Sequence, residues 1–471
     1  LTGLDVKIKF LGATQQVTGS SYLVSAGGLQ IIVDCGLYQE REYLNRNWEP
    51  FPVSASRIDY IILTHVHLDH SGLVPKLVRE GFSGRILTTS ASNEMLEIVL
   101  KDSAEIQEED AAYKKKRHKR EKRKGPYPEI PLYTVKDAEK TFPLVKNVPY
   151  DALYPLNDGV MMRLHDAGHI LGAAMVELII EENNKRQRLI FSGDIGQWDK
   201  PLVRDPSVFE QADYVVMEST YGDRNHEDYG SAENLLRDVI LETVNAGGNI
   251  LIPTFAIERA QEVMYCLSRL ARKDKIPYLM IFLDSPMAVD ITHVFERYKN
   301  YLDREARDLF EKGESPFSFP GLRLVHSVAQ SKAINSIRGS CVIMAGSGMC
   351  TGGRIKHHLV HNISRKGSTI LFVGYQAHGT LGRLILDGMP EVRIHGTLYP
   401  VKMKIRQIQG FSAHADRDGL LKWLSFFKSP PRRLFITHGE KNGAFSLAKE
   451  IEDRFAWPVS VPEYLQEWDL D

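Results

Sequence analysis

His65, His67, Asp69 and His70 fall within one six-residue stretch, His65-Val66-His67-Leu68-Asp69-His70, directly behind a largely apolar run at residues 58–63. Three imidazoles and a carboxylate at that spacing cannot all serve one metal comfortably. At the end of a strand alternate residues point the same way, so His65 and His67 can grip one ion together. Residues 71–78 have the pattern of a helix, and a turn into it carries Asp69 and His70 to the far side, where they can hold a second ion. Nitrogen donors mixed with carboxylate favour zinc, with manganese or iron as alternatives. A histidine-rich surface turn is the bland alternative, but four potential ligands behind a strand are better explained as a metal site.

The remaining ligands must come from elements distant in sequence. His165-Asp166-Ala167-Gly168-His169 precedes a small-residue turn, and the apolar run at 188–193 ends in Asp194. A run at 433–437 ends in His438, one at 214–217 leads to Glu218, and one at 30–33 ends in Asp34. In each case a β-rich run delivers a polar residue at its C-terminal end and then meets a glycine or turn. Strands of one sheet can present such residues at a common edge. Residues 6–11 and 20–25 alternate, with Ala26-Gly27-Gly28 as a hairpin turn, and strands are expected again at 160–165, 174–180 and 187–193.

The series Asp34, His65 to His70, His169 and Asp194 resembles the metallo-β-lactamase superfamily. Glu218 in Met217-Glu218-Ser219-Thr220-Tyr221-Gly222, His414 in Phe411-Ser412-Ala413-His414-Ala415-Asp416 and His438 in Thr437-His438-Gly439-Glu440 narrow the likeness to its β-CASP nucleases. The chain is similar over nearly its whole length to bacterial and archaeal RNases related to the endonuclease subunit of the eukaryotic cleavage and polyadenylation specificity factor; RNase J is a more distant cousin. A histidine at the place of His438 marks the RNA-acting branches. The resemblance implies an α/β fold, a metallo-β-lactamase αββα sandwich with an inserted α/β (β-CASP) domain of mainly parallel sheet capping the metal cleft. Residues 1–225 and 396–471 would be the two parts of the first domain and 226–395 the insertion.

Carried over residue by residue, the resemblance makes His65, His67 and His169 ligands of one zinc. Asp69, His70 and His438 become ligands of a second, and Asp194 bridges them: two Zn2+ per chain, with Mn2+ as the alternative. Asp34 is expected to orient ligating imidazoles through their other N–H, and Glu218 to orient His414 or another imidazole. A phosphodiester is anionic, so the cations must both neutralise it and supply a nucleophile from water. His414, outside the seven ligands, is expected to protonate the leaving 3′-oxygen. The catalytic set is then His414, Asp69, Glu218 and Asp34. The expected function is that of a zinc-dependent ribonuclease giving 5′-phosphate and 3′-hydroxyl ends, in RNA processing or decay. The alternatives are another binuclear hydrolase of the same fold, or a nonenzymatic RNA-binding scaffold.

Composition sets limits. The chain has 471 residues, enough for two or three domains with buried cores. A net charge of −1 announces no global field toward nucleic acid, although a local groove can still be basic. Cys35, Cys266, Cys341 and Cys350 show no CxxC pairing, which fits a reducing cytoplasm. No apolar run approaches ~18 residues, so no membrane partner is expected. Residues 1–7 lack a signal-peptide pattern, and Leu1 in place of Met reads as a preparation remnant. The long C-terminal domain of RNase J and the KH-type extension of many archaeal relatives have no counterpart, so single-stranded RNA is expected to be gripped by the two domains, with a homodimer allowed.

A helix is expected at 91–107, and residues 114–124 form a basic block in which nine of eleven residues are Lys or Arg. Such a block is a solvated helix end or loop, or else a contact to RNA backbone. Beyond residue 225, helices and strands alternate as in βαβ units. Two glycine-rich loops stand out there. Ala345-Gly346-Ser347-Gly348-Met349-Cys350 follows a strand and leads into a helix; Ser347 and Gly348 could approach a phosphate together with His414, or simply pack tightly at a strand–helix turn. The second loop, 374–383, contains His378, read as a polar loop residue.

Overall fold

Lys7–Phe10 buries Ile8 and Phe10 and leaves Lys7 and Lys9 half-exposed, the mark of a strand with one face on a core. Tyr214–Met217, Ile250–Pro253 and Cys341–Ala345 are buried at every position, the mark of strands covered on both faces. The computed structural model describes residues 6–122, 124–182, 185–226, 229–377 and 379–470; Arg123 of the basic block and His378 lie outside the described residues. The chain divides into two units, Leu1–Trp198 with Asp205–Asn225 and His414–Asp471, and Asp199–Arg204 with His226–Ala413.

The first unit contains two seven-stranded sheets. One runs in the order Glu467–Asp469, Lys7–Phe10, Tyr22–Ala26, Leu29–Val33, Tyr60–Ile62, Arg85–Thr88, Val145–Asn147; the other Val459–Ser460, Arg433–Ile436, Tyr214–Met217, Lys185–Phe191, Ala174–Glu182, Val160–Asp166, Tyr154–Pro155. Their inward faces share one apolar core, where Phe10 meets Phe435 with ring centroids 5.1 Å apart and Tyr22 meets Phe191 at 5.9 Å. Each sheet includes a parallel set. Leu29–Val33, Tyr60–Ile62 and Arg85–Thr88 run together in the first, and Lys185–Phe191, Tyr214–Met217 and Arg433–Ile436 in the second. The C-terminal ends of these strands carry the site.

The second unit holds a six-stranded sheet, parallel throughout, in the order Leu322–Leu324, Met280–Leu283, Cys341–Ala345, Ile250–Pro253, Thr369–Phe372, Lys404–Gln407. The fold class is therefore the expected one, an α/β sandwich interrupted by a parallel α/β insertion. The insertion extends past residue 395: Lys404–Gln407 pairs with Thr369–Phe372 as an edge strand, and the unit continues to Ala413. Its partly exposed Lys404, Arg406 and Gln407 lack the apolar run that marks the inner strands.

A second difference concerns the basic block. The helix expected at 91–107 runs on through most of the block, and Ser90–Glu121 is one helix of 32 residues. Thr89 caps it by accepting a hydrogen bond from the Ser92 N–H, and Lys122 ends it in the left-handed region at φ 49°. The buried face continues through Ala104, Ala111 and His118, at helical spacing, into the charged region. A single His and Ala in a lysine-rich stretch give little periodicity to read.

Candidate metal centre

The strand Tyr60–Ile62 stops before His65. Residues 64–67 are irregular, and His67 stands at the N-terminus of a short helix, Leu68–Ser71, that carries Asp69 and His70. His65 and His67 thus lie past the end of the strand, and their nitrogens meet: His65 Nε2 lies 3.0 Å from His67 Nδ1. His169 enters from the turn between Val160–Asp166 and Ala174–Glu182, with Nε2 3.4 Å from His67 Nδ1. Asp194 follows Lys185–Phe191, and its Oδ2 is 3.4 Å from His65 Nε2 and 3.5 Å from His169 Nε2. Its other oxygen, Oδ1, faces His70 Nε2 at 3.2 Å. His438, two residues past Arg433–Ile436, puts Nε2 3.0 Å from His70 Nε2 and 3.5 Å from Asp69 Oδ2.

Two ligand groups result, His65, His67, His169 and Asp194 on one side and Asp69, His70 and His438 on the other; within each, the donor atoms lie within 4.8 Å of one another. Asp194 faces both. A third grouping, Asp194, Glu218 and His438, overlaps them. Bare imidazole lone pairs at such separations repel, and Asp194 Oδ1 is buried without a hydrogen-bond partner among the described residues. A pair of cations answers both problems, and the mixed nitrogen and carboxylate donor set fits two zinc-like ions.

Electrostatics prepares the ligands. Burial pushes His65 down to about 3 and His67 to about 4, and drives His169 well below its ordinary range, so all three are neutral at pH ~7 and keep a lone pair for a metal. Burial opposes ionisation of Asp69 and Asp194, but the surrounding imidazoles outweigh it and hold both carboxyls well below their usual range. On His70 burial is outweighed by Asp194 and Asp34, which raise it. Asp34 Oδ2 is 2.7 Å from His70 Nδ1, so the ring keeps its proton there and turns Nε2 toward the ligand cluster.

Two close approaches fix this geometry. Gly36 passes so near the helix of Asp69 that an added Cβ would lie 1.7 Å from the Asp69 carbonyl oxygen. Gly193, at φ 53°, precedes Asp194, and a Cβ there would meet Thr64 Cβ at 2.8 Å. Asp34 and His438 themselves stand at positive φ, 58° and 47°, a conformation held by the strands they follow.

Glu218 and His414 form a pair beside the cluster. His414 Nδ1 lies 3.1 Å from Glu218 Oε2 and 3.8 Å from Asp194 Oδ2. Burial lowers His414, but Glu218 and then Asp194 more than offset it, raising the imidazole to about 9. The main-chain N–H of Ile195 donates to Glu218 Oε1, which fixes the carboxylate. Two residues of this network gave no separate signal in the sequence. Thr64 donates both its N–H and its hydroxyl to Asp34, each at 2.8 Å. Thr220 Oγ1 lies 2.5 Å from Glu218 Oε2 and 3.0 Å from His438 Nδ1, linking the two. Only their places beside a ligand at a strand end could have marked them.

Ser347 and Gly348 belong to the second unit. There Ser347 Oγ accepts from the N–H groups of Thr351 and Gly352, at 3.0 and 3.2 Å, so its hydroxyl already organises its own loop.

Comparison with known proteins agrees with this geometry. Residues 15–237 match the metallo-beta-lactamase superfamily, 260–385 the Beta-Casp domain, and 398–462 the Zn-dependent metallo-hydrolase RNA specificity domain. Ribonuclease TTHA0252 of Thermus thermophilus is 36% identical over 444 residues, covering 94% of this chain and 95% of that protein. The chain belongs to the β-CASP ribonucleases of the metallo-β-lactamase superfamily. With its two ligand groups it is a metal-dependent, RNA-cleaving enzyme. Proteins named transcription termination factor FttA are also similar: that of Methanocaldococcus jannaschii is 30% identical over 97% of this chain and 70% of its own length, that of Pyrococcus abyssi 32% over 98% and 70%. A crystal structure of an Enterococcus faecalis V583 protein of unknown function shares the fold, with a TM-score of 0.57 and 12% identity over 98% of this chain and 99% of that one. Among the described residues no helix is long and apolar enough to cross a membrane.

Proposed function

We propose that the chain hydrolyses single-stranded RNA with two bound zinc ions, leaving 5′-phosphate and 3′-hydroxyl ends, in RNA processing or decay. His65, His67 and His169 would hold one ion, Asp69, His70 and His438 the other, and Asp194 both. Such a pair of cations, when bound, would supply an acidified water and neutralise phosphate charge. Asp34 keeps the proton on His70 Nδ1 so that Nε2 stays available, and Thr64 holds Asp34 in place. Thr220 ties His438 to Glu218.

The observation that carries the reading is His414. It stands beside a complete ligand set without being needed in it, and Glu218 keeps it charged. A buried imidazolium 3.8 Å from Asp194 can give its Nε2 proton to a leaving oxygen, and a 3′-alkoxide needs that proton to depart. A lactam or thioester hydrolase has no such requirement for this charged group, and a scaffold has none for seven intact ligands. Ser347 and Gly348 are proposed to approach substrate phosphate, with the Gly348 main-chain N–H as the donor, since that of Ser347 already donates to the Gly352 carbonyl at 3.3 Å. The four cysteines are buried and form no disulfide among the described residues, in keeping with action in a reducing cytoplasm. Metal analysis paired with an RNA-cleavage gel tests the proposal. Two zincs per chain and cleaved RNA are expected, whereas intact RNA with thioester turnover would favour the small-molecule alternative.

A further inference from the structure

The basic block is not absorbed by the metal centre. Residues 114–124 carry a net charge of +8 in a chain of −1, so all other residues together carry −9. Positive charge is thus concentrated on one short stretch of an otherwise acidic chain.

That stretch has a built support. His118 is buried on the inner side of the helix Ser90–Glu121, with Nδ1 2.6 Å from Glu129 Oε1. The segment returning from the helix end packs along it: the Leu132 N–H donates to Gln107 Oε1 at 3.0 Å, and the Tyr133 hydroxyl to Ser103 Oγ at 2.9 Å. Tyr127 stacks on Trp48, with ring centroids 6.4 Å apart and planes 15° from parallel. The His118–Glu129 contact thus ties the charged end of the helix to a returning segment that is itself anchored at Gln107, Ser103 and Trp48.

The cations on it fall into two sets. Lys114 pairs with Asp110, and Arg117 and Arg120 with Glu121. Lys115, Lys116 and Lys119 are exposed and make no ion pair among the described residues. Lys119 follows Lys115 by four residues and Lys116 by three, so it is a surface neighbour of both, about 4.5 to 6 Å from them along the axis. Like charges at that spacing disfavour the helix. The C-terminal helix dipole welcomes positive charge but does not call for three unneutralised lysines together.

We infer that Lys115, Lys116 and Lys119 form a backbone-binding patch for single-stranded RNA, separate from the metal centre. This rests on the ribonuclease reading and adds a place where the strand is held. The patch neutralises phosphates without reading bases, so it should act on any sequence.

The test is the triple substitution Lys115→Gln, Lys116→Gln, Lys119→Gln, compared with Lys114→Gln, Arg117→Gln, Arg120→Gln. Gln keeps helix propensity, and circular dichroism verifies it. Binding of a ~30-nucleotide RNA is titrated against salt in a His414→Ala background, in which cleavage is slowed ~100-fold or more. Losing three phosphate contacts should reduce the slope of log K against log salt by about 2, at ~0.7 per contact for single strands. The comparator should change it by less. Cleavage of a ~4-nucleotide RNA by the chain with wild-type His414 should be unaffected by the triple substitution. An unchanged slope alongside normal cleavage would overturn the patch and leave the ribonuclease reading standing. Loss of binding to phosphatidylserine vesicles with an unchanged RNA slope would overturn it in favour of a membrane. Failure of the unsubstituted chain to cleave the short RNA would instead count against the ribonuclease reading.

Discussion

Glu218→Gln removes one charge next to His414 while keeping the shape of the side chain. Glu218 makes the largest favourable contribution to holding the His414 proton, followed by Asp194. If Asp194 is committed to cations, Glu218 is the carboxylate left to do so. A raised pKa means that the acid is present below about 9 and is lost as pH rises through it. In the Gln variant the largest charge opposing burial is gone, and the pKa should return to ~6.5 or lower. At pH ~8 the protonated share then falls from ~0.9 to ~0.03, a loss of ~30-fold in kcat; at pH ~6 it falls only from ~1 to ~0.8. Single-turnover cleavage of a labelled RNA across pH 5.5 to 9 reads this directly. The wild-type alkaline limb should lie near 9 and move down by about two units or more in Glu218→Gln. His414→Ala should lose ~100- to 10,000-fold at every pH, with the loss in kcat rather than in RNA affinity. An equal loss at both ends of the range in Glu218→Gln would refute the reasoning, because Glu218 would then be placing the site rather than setting a proton.

Three further outcomes follow from the geometry. Asp194→Ala should bind fewer than two metals per chain and lose cleavage altogether, as read by metal analysis and a gel. Asp34→Asn should release the His70 ring and weaken metal affinity by ~10- to 100-fold in competition with a chelator, with the fold unchanged by circular dichroism. Thr220→Val, which keeps the volume but not the hydroxyl that joins His438 to Glu218, should lower kcat by ~10-fold or more, and Thr220→Ser should restore it; equal activity in both would mean that the hydroxyl does nothing there.

Much of this site could be read from the sequence because each ligand follows a β run and the runs end together. His65 to His70, Asp194 and His438 were visible for that reason. Thr64 and Thr220 were not, since a threonine beside a strand end is ordinary and only its partners, Asp34 and Glu218, give it a role. The alternation of helices and strands also marked the parallel insertion, because buried strands such as Cys341–Ala345 are continuously apolar. The edge strand Lys404–Gln407 escaped that pattern, having solvent on one side and charged residues to meet it. The helix Ser90–Glu121 was legible only in its first half, where Met95, Leu96, Val99 and Leu100 are buried; farther on, Ala111 and His118 carry the packing.

The central claim is a two-metal phosphodiester hydrolysis that water, rather than the RNA 2′-hydroxyl, begins. The most direct measurement is end-group analysis of a single-stranded RNA cut by the purified chain, with zinc removed by chelation and then restored. A 5′-phosphate and a 3′-hydroxyl at the cut, lost on chelation and regained with two zincs per chain, are the expected result. A 2′,3′-cyclic phosphate, or cleavage that survives removal of the metals, would contradict it.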